Sequence, residues 1–149
     1  MKNTDTFFEN IEFCKKLQDN RENFEAKRSN AIQEVRGLTQ NVGRRKGEIR
    51  IAGDNLLRTL AAIKENAAST VSLSVHALLR NARGMMADTT NLAISLSFAE
   101  ERQRETIKRL ERQLAADESA LELARKKQAD FEMQIANTVR LMNANHCFR

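Results

Sequence analysis

The chain has 149 residues, a length suited to one domain. It contains no Pro, Trp or Tyr, only 5 Gly, and its 7 aromatic residues are all Phe, which excludes a β-sandwich or barrel and favours helices. The net charge of +5 and pI near 9.6 favour acidic partners, without the sharp basic patch of a dedicated DNA-binding domain.

Glu9 and Glu12 interrupt any apolar core that a signal peptide beginning at Met1 would need. No stretch approaches the roughly 20 apolar residues of a membrane span. The expected location is therefore the bacterial cytoplasm. Cys14 and Cys147 stand at opposite ends of the chain and are expected to be free thiols there. A hairpin, however, would bring the two ends within reach of a bridge.

The pattern predicts a first helix over 4–38, with Asp5 or Thr6 as N-cap and Glu9 at capping-box spacing from Thr6. Its apolar stripe through Phe7, Ile11, Cys14, Leu17, Phe24, Ile32, Val35 and Leu38 has gaps at Asn20-Arg21 and Lys27-Arg28. Gly37, Gly43, Gly47 and Gly53 then predict a glycine-rich basic connection over 39–54. Asp54 would cap a central helix over 55–83, padded with Ala and Ser.

The last element, over 86–145, is the most regular. Ile107, Leu110, Leu114, Asp117, Leu121, Ala124, Gln128, Phe131, Ile135, Thr138 and Met142 recur at alternating three- and four-residue spacing. That is a coiled-coil seam with polar interruptions at Asp117, Gln128 and Thr138. The expected architecture is all-α: an elongated helical bundle or antiparallel coiled-coil hairpin whose longest member is C-terminal. The seam exceeds what a thin first helix can cover. A homodimer or obligate hetero-complex through Leu110, Leu114, Leu121 and Phe131 is expected.

Four other groups are candidate sites. Arg44, Arg45 and Lys46 between Gly43 and Gly47, with Arg50, form a candidate phosphate or nucleic-acid contact, although the lysine-hydroxyl ending of a P-loop is absent. His76, Arg80, Arg83 and Met86 share one side of a helix and mix positive charge with soft apolar surface, a candidate partner-binding face. Met85-Met86, Leu92, Ile94, Leu96 and Phe98 read either as buried core or as a docking strip. His146-Cys147 reads as a frayed end.

No metal pair surrounds His76, and Glu105–Arg109, Lys108–Glu111 and Glu122–Lys126 read as surface ion pairs. No nucleophile–base constellation is visible. The expectation is a protein with no enzymatic activity, no cofactor and no metal.

His76, Arg83, Asn91-Leu92-Ala93, Leu96, Phe98 and Glu101-Arg102 stand in an order that resembles part of the capsid size-determination proteins, external scaffolds of satellite phages. Cys14, Asn20 and Arg28 loosely resemble the opening of the polarity-suppression and capsid-decoration proteins of the same class of element. The resemblance covers about a fifth of the chain. It implies a helical protein of a phage satellite or related mobile element that binds a helper phage's capsid, portal or terminase and redirects assembly or packaging. It carries over no catalytic residue.

Two alternatives stand beside it. The long C-terminal coiled coil and missing proline are similar to the coiled-coil stalk proteins of flagellar and type III export ATPases, which are basic helical hairpins of similar length. The Ala/Ser-padded middle and the glycine cluster depart from that family, which has two long continuous helices joined by a short turn. A basic helical nucleic-acid-binding protein rests on the Arg44–Arg50 run alone.

Overall fold

Alternating four- and three-residue spacing continues much further along the chain than its apolar residues alone indicate. The computed structural model describes the backbone of residues 2–80 and 83–148, and the side chains of 9–68 and 91–148. Two helices, α1 (Lys2–Arg80) and α2 (Arg83–Ala144), pack against each other as an all-α helical hairpin. Among the described residues there is no strand.

On α1 the half-buried and buried positions run from Cys14 through Leu17, Arg21, Phe24, Arg28, Ala31, Val35, Leu38, Val42, Arg45, Ile49, Ala52, Leu56, Thr59 and Ile63 to Asn66. The two apparent gaps are filled by Arg21 and Arg28. Their aliphatic stems can cover the seam; the Arg21 guanidinium pairs with Glu25 at 3.0 Å, whereas Arg28 Nε is buried without a hydrogen-bond partner. On α2 the seam extends N-terminally beyond Ile107 through Leu96, Glu100 and Gln103, and ends at Asn145.

Three expectations are corrected here. α1 starts at Lys2, ahead of the proposed cap at Asp5 or Thr6. It passes without a break through 39–54, so the glycine-rich connection and the separate central helix do not exist. Each interior Gly costs about 1 kcal/mol relative to Ala. Leu38, Val42, Arg45, Ile49 and Ala52 keep the seam in step across them, and tertiary packing outweighs the local preference. Finally, α1 at 79 residues is longer than α2 at 62.

The hairpin divides into two units. The first joins Met1–Asn41 to Asp117–Arg149. Its buried residues are Leu17, Ala31, Leu121, Ala124, Thr138 and Met142, small or aliphatic side chains suited to closely approaching helices. The Thr138 hydroxyl donates to the Gln134 carbonyl at 2.8 Å, so its polarity is satisfied by its own helix. The second unit is Val42–Ala116, with Val42, Asn66 and Leu110 buried. No large side chain among the described residues is fully buried, as expected of a seam only two helices wide.

In the first unit the two cysteines form a disulfide, with Cα atoms 5.4 Å apart. The expectation of two free thiols and a frayed end is overturned by the local geometry of the α2 terminus. The Cys147 amide donates to the Met142 carbonyl at 2.9 Å and the His146 amide to the Asn143 carbonyl at 3.2 Å. His146 takes a left-handed φ of 57°. This is a Schellman turn, with His146 where Gly is usual, and it fixes the segment that carries Cys147.

Candidate interaction surface

The continuity of α1 decides what the basic run can do. Within a helix the amides of residues 43–47 are committed to intrahelical hydrogen bonds, so no loop of free N–H groups exists to cradle a phosphate. The cations also diverge. Arg45 turns into the seam and is half-buried, with its guanidinium 3.0 Å from Glu48. Arg44 reaches the same carboxylate at 3.9 Å, while Arg50 points to solvent. Lys46 is exposed.

The proposed partner-binding residues His76, Arg80, Arg83 and Met86 lie outside the residues whose side chains are described, as do Met85 and His76's neighbours. Further along the same strip, Leu92, Ile94 and Phe98 are 50%, 51% and 60% exposed, so these three are not core; Leu96 is half-buried on the seam. Of the proposed oligomer residues, Leu110 and Leu121 are buried and Leu114 and Phe131 half-buried within a single chain. α1 supplies a seam as long as that of α2, so cover comes from within the hairpin.

Of the three surface ion pairs read from spacing, Glu122–Lys126 forms, at 3.2 Å. Arg109 and Lys108 make no ion pair among the described residues. Instead Arg104 takes Glu100 at 2.9 Å and Arg21 takes Glu25 at 3.0 Å. Two shallow depressions open along α2, one lined by Arg102, Glu105, Thr106 and Arg109, the other by Ser97, Glu100, Glu101, Arg104, Glu105 and Lys108. Among the described residues no group of three His, Cys, Asp or Glu gathers as for a metal, and no helix is long and apolar enough to cross a membrane.

What the spacing did not reveal is where the charge collects. Val42–Ala116 carries 13 Lys and Arg against 8 Asp and Glu, whereas the remainder of the chain carries 12 of each. The entire excess of +5 therefore belongs to the second unit. Exposed Arg50, Arg58, Lys64, Arg102, Lys108, Arg109 and Arg112 form no ion pair there among the described residues. Counting charge by segment would have found this; counting it over the whole chain could not. Compared with family models, curated proteins and solved structures, the chain matches none.

Proposed function

We propose that this chain is a non-enzymatic interaction protein, a coiled-coil hairpin whose seam is spent internally and whose outer faces engage a larger assembly. Within that class the geometry best supports a stalk protein of a flagellar or type III export ATPase. The observation that carries this reading is the unbroken run of α1 through Gly37, Gly43, Gly47 and Gly53. Those glycines were, with the Ala/Ser-padded middle, one of two features that set the sequence apart from a family of two continuous helices, and they do not interrupt the helix.

The second reading keeps the satellite-phage resemblance over His76–Arg102, with a helper-phage capsid, portal or terminase as partner. Exposed Leu92 and Phe98 favour it, because they belong to that resemblance and are available to a partner. Both readings place the chain in the bacterial cytoplasm. Tagged chain expressed in flagellated cells should co-elute with the export ATPase and leave phage titre unchanged. Reduced helper-phage yield without ATPase recovery would replace the stalk with the satellite reading.

A further inference from the structure

The geometry points to the outward face of α1 between Gly43 and Glu65 as the docking surface for an acidic amphipathic helix of another protein. This rests on the interaction-protein reading and supplies the chemistry of its partner. Residues seven apart on a helix share one face. Opposite the seam, two such rows run side by side. One is Arg44, Ile51 and Arg58; the other is Arg50, Leu57 and Lys64.

Each row places an apolar side chain between two cations, and both apolar residues are well exposed, Ile51 at 57% and Leu57 at 65%. Arg50, Arg58 and Lys64 have no ion pair among the described residues. The face carries these three cations and Arg44 against Asp54 and Glu65. Cβ atoms built at Gly43, which begins the Arg50 row, and at Gly47, between the rows, would meet nothing within 4 Å, so neither glycine is required by packing inside the hairpin.

Three occupants can be compared. A nucleic-acid backbone is uniformly negative, and exposed Asp54 between the rows would repel it while Ile51 and Leu57 would gain nothing. A second copy of this face would oppose cations to cations. An amphipathic helix with apolar residues flanked by Glu or Asp matches both the charge and the exposed Ile and Leu, and fits a helix-on-helix contact.

The test uses the full disulfide-bonded chain and fluorescence anisotropy with a synthetic amphipathic Leu/Glu helical peptide. A Leu/Lys peptide of the same pattern and a short DNA duplex serve as comparison probes. The Leu/Glu peptide should bind, and Leu57→Asp should weaken it by about tenfold or more, as expected for a central apolar contact. Arg50→Glu with Arg58→Glu should weaken it similarly and flatten its salt dependence. Lys15→Glu with Arg125→Glu, in the other unit, should leave it unchanged.

Absence of peptide binding, tighter binding of the duplex, or a wild-type dimer abolished by the same substitutions would each overturn the inference. Pull-downs separate the two levels. If Leu57→Asp and wild type recover the same partner equally, this surface is wrong and the interaction reading stands. If wild type retains the peptide but recovers no partner from ATPase-bearing or phage-bearing cells, the functional reading fails instead.

Discussion

Glu34 and Lys127 meet at 3.7 Å across the two helices, twenty residues inside the Cys14–Cys147 bond on each side. Together the two links set α1 and α2 antiparallel, the bond lying in the turn just beyond Ala144 and the ion pair about five turns back along α2. The ion pair marks this register without securing it, because both side chains are about half exposed. Glu34→Gln should therefore change unfolding free energy by less than about 0.5 kcal/mol in a urea titration. A larger loss would show that the pair helps to hold the helices in register.

Adding a methyl group at the interior glycines should stabilise the chain. Nothing lies within 4 Å of a Cβ at Gly43 or Gly47, and both sit in mid-helix. Gly43→Ala and Gly47→Ala should each add about 0.5–1 kcal/mol, seen as a higher midpoint in a circular-dichroism melt. Destabilisation would mean that the helix is not continuous there.

The left-handed His146 offers a similar gain by the opposite substitution. A side chain at a φ of 57° carries a steric penalty that Gly avoids. His146→Gly should stabilise the α2 terminus by about 1 kcal/mol and slow hydrogen exchange at the Cys147 amide, which bonds to Met142. Faster exchange would count against the Schellman turn.

Polar atoms trapped in the seam have a predictable sign. Gln103 Oε1 is buried without a hydrogen-bond partner. Gln103→Leu should raise stability by about 1–3 kcal/mol, the cost of leaving such an acceptor dry. Leu121→Ala, at a site only 7% exposed, should lower it by about 2–5 kcal/mol. Equilibrium urea unfolding measures both.

Removing the disulfide should have the largest effect. The bond closes a loop with a sequence separation of 133, for which chain entropy sets a limit of about 5 kcal/mol. Cys14→Ser with Cys147→Ser should shift the urea midpoint downward and speed exchange first in Met1–Asn41 and Asp117–Arg149. Acid-quenched alkylation of intact cells then reads the native state of the pair. A bridge found oxidised in the cell would favour an oxidising compartment and argue against both cytoplasmic readings.

The α2 seam was legible from Ile107 to Met142 because Leu, Ile, Phe and Met hold most of its positions; its extensions through Glu100, Gln103 and Asn145 were not, because those positions are polar. The α1 seam was not, because Arg21, Arg28 and Arg45 occupy places where a hydropathy reading looks for apolar residues, though each is half-buried. The glycines misled for a related reason. Helix propensity is a local quantity, and a helix locked to its neighbour every three or four residues tolerates several unfavourable ones. Cys147 was missed because its turn uses His146 and not Gly at the left-handed position, leaving no sequence signature of a cap. The outer face of α1 was hidden for a different reason: its rows become visible only once 39–54 is known to be helical.

Joined cysteines also alter how the hairpin answers a pull. Tension applied near the two termini passes from residue 14 to residue 147 through one covalent link, and the helices enclosed by that link carry none of it. An assembly tugging on both ends thus loads the Cys14–Cys147 bond. Once the link is reduced, the same tug falls on the packing of Met1–Asn41 against Asp117–Arg149.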